Sequence, residues 1–95
     1  MNQTTDLHLL QRLFSEADNA SMMFELLDAL LTPEEQRALT DRCLIFQGLL
    51  KKEQTQRDLA KQLEVSIATI TRGSNQLKKI SPALSDFLRC HLLVG

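Results

Sequence analysis

The stretch TQRDLAKQLEVSIATITRGSNQLK, residues 55–78, determines the fold class of this 95-residue chain. Leu59 and Leu63 stand four residues apart, so they share one face of a helix. Val65 then falls in a short link, and Ile70 lies on the inner face of a second helix. Two short amphipathic helices joined in this way are typical of a helix-turn-helix, the unit that places a helix in the major groove of DNA.

The ends of both helices are marked by residue type. Thr55 and Ser66 each precede helix-forming residues and can accept a backbone N–H as N-caps. The small Ala60 lets the two helices cross closely. Glu64 occupies the turn position where glycine is most common, so we expect the turn to form without a residue that adopts positive φ at low cost.

The outer face of the second helix carries side chains of the types that contact DNA. Threonine and asparagine hydrogen-bond to base edges or phosphates, small apolar groups touch the thymine methyl, and arginine or lysine reaches guanine or phosphate. With two residues from the start of the first helix, the predicted DNA-contacting residues are Gln56, Arg57, Ile67, Ala68, Thr69, Thr71, Arg72, Asn75 and Lys78. The alternative is a helical hairpin in an ordinary all-α core, because short helix-turn-helix spacings arise by chance.

Positive charge is concentrated on the same part of the chain, although the formal net charge of the whole is −1. Residues 1–50 carry three Lys or Arg against eight Asp or Glu, whereas residues 51–79 carry seven against three. A basic surface attracts phosphates, and an acidic remainder keeps non-specific binding weak. Chance clustering on a solvated face is the alternative explanation.

Length and composition favour one domain with a modest core that gains stability from a partner subunit. The sequence shows no secretory signal and no run of the ~18 apolar residues that a membrane span needs, so we expect a cytoplasmic protein without membrane contact. Cys43 and Cys90 are far apart without CxxC spacing, which predicts reduced thiols. His8 and His91 lie near opposite ends, and no catalytic or metal-binding grouping is visible. We therefore expect a protein that is not an enzyme and has no cofactor.

Apolar spacing predicts an all-α chain of six helices and no strand. Outside the helix-turn-helix, the predicted helices are one with a stripe from Leu7 to Ala17 that ends near Asn19, one over about 22–30, one from Pro33 to about Lys51, and one that begins after Ser81. Thr32, Pro33 and Glu35 supply an N-cap, a favoured first proline and a capping-box acid. Gly48, inside the third helix, is expected to be a tolerated cost of ~1 kcal/mol relative to alanine.

The first and last helices are amphipathic, and neither has an obvious partner within the chain. Pairing with a second chain would cover them, so we predict a homodimer of one domain, residues 1–95, with the helix-turn-helix at about 55–78. An ordinary compact bundle is the alternative. A twofold dimer also suits a palindromic DNA site.

Several runs of this sequence resemble the tryptophan repressor family. They are Leu31-Thr32-Pro33-Glu34-Glu35, Ala38-Leu39, Arg42, Thr55-Gln56-Arg57-Asp58-Leu59 and Ile67-Ala68-Thr69-Ile70-Thr71-Arg72-Gly73-Ser74-Asn75. The ITRGSN run on a predicted recognition helix is the most specific of these. The resemblance is specific from about Ala29 to Lys78 and compatible in helix order over the rest.

The resemblance implies an intertwined homodimer that binds L-tryptophan as corepressor and then a palindromic operator of tryptophan-related genes. The implied ligand-binding residues are Ala29, Leu31, Thr32, Arg42, Arg72, Gly73 and Gln76. Arg42 and Arg72 would enclose the indole, and Arg72 would also pair with the ligand carboxylate. The backbone carbonyls of the first three would receive the ammonium group, and Gly73 would leave room for the ring.

The sequence departs from the family pattern at three places. Gln76 replaces a small serine near the ligand amino group, Val65-Ser66 replace a glycine-containing turn, and Ala60 replaces a lysine near the DNA. Two other functions therefore stay open. One is a helix-turn-helix regulator that is ligand-independent or responds to another small molecule, and the other is a helical interaction module that does not bind DNA.

Overall fold

The computed structural model describes residues 3–93, with side chains from Asp6 onward. Within these residues the chain forms six helices and no strand, which confirms the all-α prediction. The helices are α1 (Gln3–Glu16), α2 (Ala20–Leu30), α3 (Pro33–Lys51), α4 (Gln56–Leu63), α5 (Ile67–Leu77) and α6 (Pro82–Leu92). The chain divides into two compact units, Met1–Arg37 and Ala38–Gly95, with the division inside α3. The single domain 1–95 stays a prediction, and its first two and last two residues lie outside the described range.

Asn19 separates the first two helices and caps the second. Its backbone is extended, with φ −144° and ψ 162°. The Met22 N–H donates to Asn19 Oδ1 at 2.8 Å. The sequence-based boundaries were wrong here, because α1 ends at Glu16 and α2 begins at Ala20 rather than near Met22. The physical reason is that asparagine was interpreted as the end of one helix, whereas its side chain satisfies the first N–H groups of the next.

The start of α3 forms the predicted capping box. The Glu35 N–H donates to Thr32 Oγ1 at 3.1 Å, and the Thr32 N–H donates to Glu35 Oε1 at 2.9 Å. Pro33 is the first residue of the helix, where its missing N–H leaves no intrahelical bond unmade. These contacts fix where α3 begins.

The core of the second unit lies where α3, α4 and α5 meet. Ile45, Leu59, Ala60 and Ile70 are buried together, and Ile70 has no exposed surface. Leu49, Leu63 and Val65 pack against them. The inner-face positions predicted from the spacing of apolar residues in 55–78 are therefore confirmed.

Two glycines allow α3 to approach its neighbours closely. A Cβ on Gly48 would lie 2.5 Å from Leu59 Cδ1, and one on Gly73 would lie 2.8 Å from Ile45 Cγ2. Both distances are shorter than van der Waals contact, so a larger residue would require Leu59 or Ile45 to shift. Gly48 also has a packing role that the sequence did not reveal, because the absence of a side chain there lets Leu59 of α4 pack directly against α3.

The last helix is capped at its start and hydrogen-bonded to α3 near its end. Ser81 caps α6, since the Leu84 N–H donates to Ser81 Oγ at 3.1 Å, and Pro82 is its first residue. Near its other end, Gln47 Nε2 of α3 donates to Leu92 O at 2.7 Å. The predicted start of this helix is confirmed.

Candidate nucleic-acid interface

Both helices of the 55–78 segment begin at the predicted caps. The Asp58 N–H donates to Thr55 Oγ1 at 3.1 Å, and the Thr69 N–H donates to Ser66 Oγ at 3.1 Å. Thr55 and Ser66 both have extended backbones, which is the usual N-cap conformation. The two hydroxyls therefore fix the first turns of α4 and α5 independently of any ligand.

The turn between α4 and α5 depends on a glutamate in the left-handed conformation. Glu64 has φ 59° and ψ 43°, and its N–H donates to Lys61 O at 3.3 Å. The next N–H, that of Val65, donates to Ala60 O at 3.0 Å. A non-glycine residue in this conformation costs about 1 kcal/mol, which the buried contacts of the flanking helices offset. The turn thus forms at a non-glycine residue, as the sequence predicted.

Eight of the nine predicted DNA-contacting residues are exposed, as the interface requires. They are Gln56, Arg57, Ile67, Ala68, Thr71, Arg72, Asn75 and Lys78. Ala68, Thr71, Arg72 and Asn75 lie on the side of α5 away from the fully buried Ile70, whereas Ile67, one turn before Ile70, and Lys78, the C-cap, lie at the edges of that outer face. Their contact with DNA stays a prediction, which requires that the side chains be exposed to solvent, as they are.

Thr69 differs from the other eight. It is half-buried, and its hydroxyl lies 2.8 Å from Ser66 Oγ. Ser66 Oγ also accepts the Thr69 N–H, so two hydrogen bonds join these residues at the start of α5. Thr69 therefore stabilises the helix start, a role that reasoning from residue type alone did not identify.

The surface of this segment carries more cations than anions. Its exposed cations, including one residue just after the segment, are Arg57, Lys61, Arg72, Lys78 and Lys79. The acids between residues 56 and 79 are Asp58 and Glu64. An excess of positive charge beside an exposed polar helix face attracts the phosphates of duplex DNA.

The residues expected to bind an ammonium group lie at the end of α2 and in the turn after it. There, Gln36 Nε2 donates to Leu31 O at 3.2 Å, and the Gln36 N–H donates to Thr32 O at 2.9 Å. A carbonyl oxygen has two lone pairs, so each of these can accept one further hydrogen bond. The roles of Ala29, Leu31 and Thr32 stay predictions, and Gln36 is a competing donor that the sequence did not reveal.

The other four expected ligand residues, Arg42, Arg72, Gly73 and Gln76, are close in sequence to the contact between Gly73 and Ile45 in the second unit. Gly73 meets Ile45 there, and Arg42 stands one helical turn before Ile45 on α3. Arg72 precedes Gly73, and Gln76 follows it by one turn on α5. Arg42, Arg72 and Gln76 are exposed. The contact with Ile45 explains why a glycine is needed at position 73. This packing role is separate from the predicted role of Gly73 in making room for the ligand ring.

Other types of site are not seen in the part of the chain that is described. Among residues 3–93, no group of three or more His, Cys, Asp and Glu side chains is placed to hold a metal ion. Cys43 and Cys90 are exposed free thiols. No helix in this range combines the length and apolar character needed to cross a membrane.

The family model described as Trp repressor protein matches residues 5–92 of this chain. A Trp operon repressor homolog of Vibrio parahaemolyticus is 52% identical over 64 residues, which are 67% of this chain and 62% of that protein. Proteins of the same name from Vibrio campbellii and Chlamydia caviae are 49% identical over 70 and 59 residues, covering 74% and 62% of this chain and 70% and 58% of theirs. The matched stretches thus span 58% to 70% of these relatives' lengths. The chain belongs to the Trp repressor protein family.

Proposed function

We propose that this chain is a DNA-binding transcriptional repressor that acts as a homodimer and uses L-tryptophan as corepressor. The observation that carries the proposal is the geometry of α4 and α5: two capped helices, joined by a tight turn, bury one face and expose a polar, basic face. Membership of the Trp repressor protein family and the name of the relatives, Trp operon repressor homolog, support the same function.

In this proposal α5 enters the major groove of a palindromic operator. Arg57 and Thr71 read base edges or hold phosphates, while Arg72 and Lys78 bind the backbone. In helix-turn-helix dimers, a class for which the Trp repressor is itself a standard example, the two recognition helices lie about one DNA turn apart. The caps at Thr55 and Ser66 fix the first turns of α4 and α5, and the buried contacts of Leu59, Ala60 and Ile70 hold the two helices together before DNA is bound.

The homodimer is supported by apolar residues that the chain leaves uncovered. None of the described side chains between Asp6 and Arg37 is buried, and α2 and α6 contain no buried residue. Phe24 is 72% exposed and Phe87 is 58% exposed. Large apolar patches on a soluble chain mark surfaces that a partner covers. A second copy, intertwined through these helices, is the occupant we propose.

Tryptophan binding is supported by the placement of two arginines beside one contact. Arg42 precedes Ile45 by one turn on α3 and Arg72 precedes Gly73 on α5, and Ile45 and Gly73 meet. A guanidinium plane stacks well on an aromatic face. Carbonyl groups at the end of α2 carry partial negative charge that suits the ligand ammonium. Because Arg72 also belongs to the DNA face, one side chain would connect the two ligands. A ligand that favours the DNA-competent arrangement raises DNA affinity by its difference in affinity between the two states.

The composition of the chain makes the corepressor directly testable. The protein has no Trp and no Tyr, so the ligand supplies the only indole in a titration. We expect L-tryptophan fluorescence to change with about one molecule bound per chain and DNA affinity to rise about 5–150-fold. Arg72→Ala should weaken both ligand and DNA binding, whereas Arg42→Ala should mainly weaken the ligand. Unchanged fluorescence and a silent calorimetric titration at millimolar tryptophan would contradict the corepressor role and leave DNA binding standing.

A second candidate function is a repressor of this family with a different effector or none. The feature that favours it is Gln76, which is longer than the serine that the family pattern has near the ligand amino group. Gln76→Ser separates the two candidates. If Gln76 obstructs the ligand, the variant binds tryptophan more tightly; if neither protein binds tryptophan, the second candidate is favoured.

A further inference from the structure

A cleft of about 480 Å³ lies within residues 38–95, between the end of α3, the start of α4, the end of α5 and the middle of α6. Its apolar wall includes Leu49, Leu50, Leu59 and Leu77, and Gly48 exposes helix backbone to it. Leu50 and Leu59 are buried core residues, so this wall is held in place by the fold. The volume falls in the range of about 300–1,000 Å³ that is usual for small-molecule sites.

Every charged residue that lines the cleft is a cation. Lys52, Lys78 and Arg89 come from three different parts of the chain, and no Asp or Glu lines the cleft. The whole chain has a net charge of −1, so this cluster is a local feature. Cations of one sign around a concave surface concentrate the positive potential inside it.

Four neutral polar side chains complete the lining. They are Gln54, Gln56, Ser74 and Ser85. Hydroxyl and amide groups can donate hydrogen bonds to an anionic oxygen, and such bonds are stronger than those between neutral groups. Gln54 is held in place, because its Nε2 donates to Gln62 Oε1. The cleft therefore offers donors and positive charge at its rim and apolar contact at its floor.

We propose that this cleft binds a small organic anion, a carboxylate or phosphate ester attached to an apolar body, at a site separate from the tryptophan site. A DNA phosphate would contact the cations but not the leucine side chains, whereas an organic anion with an apolar body would contact both. Gln56 and Lys78 belong to the cleft and to the predicted DNA face. Occupancy therefore competes with DNA binding, so the anion acts as an antagonist of the repressor; this last step rests on the proposed function.

Phenyl phosphate tests the site in the full-length protein. Calorimetry should show about one molecule bound per chain, with inorganic phosphate and benzyl alcohol each binding more weakly. Loss of one charged hydrogen-bonding partner should weaken binding about tenfold, so Lys52→Gln and Arg89→Gln should each show that loss. Lys79→Gln is the matched control, because it removes the same charge beside Lys78 from a residue that does not line the cleft. Each residue is exposed, so all three variants should melt at the wild-type temperature.

Four results of these binding measurements would overturn the anion site. No heat with phenyl phosphate, equal binding of inorganic phosphate, or an equal loss in Lys79→Gln would overturn the site. Weaker DNA binding by Lys52→Gln and Arg89→Gln without any effect on phenyl phosphate would assign the cations to the DNA backbone and also overturn it.

The competition step is measured with labelled duplex DNA at constant ionic strength. Phenyl phosphate should weaken DNA binding by the wild-type protein and by Lys79→Gln, and have little effect on Lys52→Gln and Arg89→Gln. DNA binding that is unaffected by saturating phenyl phosphate would overturn the antagonist role. A protein that binds phenyl phosphate but no DNA would refute the proposed repressor function and leave the anion site supported.

Discussion

The two units of the chain differ in where their apolar side chains lie. In residues 38–95, side chains from α3, α4 and α5 close a core around Ile70, which has no exposed surface. In residues 1–37, no described side chain is buried, and Leu7, Leu9 and Phe24 are more than half exposed. The unit with α4 and α5 therefore has its own core, whereas the first unit leaves its apolar surface exposed, as the proposed homodimer requires.

The largest expected effect comes from breaking the core of the second unit. Ile70→Ala should lower the free energy of unfolding by about 2–5 kcal/mol, because it removes buried contacts and leaves a cavity. Ile67→Ala, on the exposed face of the same helix, should change it by less than about 0.5 kcal/mol. Urea denaturation at one protein concentration measures both. Similar losses would mean that Ile67 is covered in the assembled protein and that the inside and outside of α5 were assigned wrongly.

A glycine substitution tests how tightly that core is closed. Gly48→Ala adds one methyl group that meets Leu59, so we expect a loss of about 1–3 kcal/mol despite the better helix propensity of alanine. Cys43→Ala, at an exposed position of the same helix, should lie within about 0.5 kcal/mol of wild type. Thermal melting followed by circular dichroism gives both values. A stabilised Gly48→Ala would show that α3 and α4 are free to move apart.

The first unit is tested through its most exposed aromatic residue. If a second chain covers Phe24, Phe24→Ala should weaken the dimer by about 1–2 kcal/mol. Glu25→Ala, its exposed neighbour, should have little effect. Sedimentation equilibrium over a range of concentrations measures the dissociation constant. A wild-type protein that sediments as a stable, cooperatively folding monomer would contradict the contrast between the two units.

The smallest expected effect concerns backbone conformation, since both non-glycine residues with positive φ among the described residues, Lys52 and Glu64, belong to the second unit. Glu64→Gly should stabilise the protein by about 1 kcal/mol, because glycine adopts this conformation without strain. Glu53→Gly should have the opposite sign, because the φ of Glu53 is not positive and added flexibility favours the unfolded chain. Chemical denaturation of the two variants compares them. A destabilised Glu64→Gly would show that the glutamate side chain itself supports the turn.

Features set by neighbouring residues were predictable from the sequence. The caps at Thr55 and Ser66 and the inner position of Ile70 depend on residue type and helical spacing, which are local. The packing role of Gly48 was not predictable, because it depends on the distance between Gly48 and Leu59. These two residues lie on different helices, so no helical spacing rule connects them. The same holds for Gln36, whose side chain reaches the Leu31 carbonyl only after the turn has formed.

The candidate site also contains features that were predictable from the sequence and features that were not. Exposure of Arg57 and Thr71 followed from the helical period, whereas the pairing of Thr69 with Ser66 required the geometry of the first turn. The cationic cleft combines Lys52, Lys78 and Arg89, which no spacing rule connects. Sequence reasoning therefore predicted which of these side chains are exposed and missed the contacts that depend on tertiary structure.

The central claim is that α5 reads DNA under the control of tryptophan, and selection from a random-sequence duplex pool tests it most directly. The wild-type protein should enrich a palindromic site with half-sites about 10 base pairs apart when L-tryptophan is present, as for other helix-turn-helix dimers, the Trp repressor among them. Enrichment should be weak without tryptophan, and Thr71→Ala and Arg57→Ala should lose it while they keep the wild-type fold. Equal enrichment with and without tryptophan would remove the corepressor. No enrichment under either condition would contradict the claim itself.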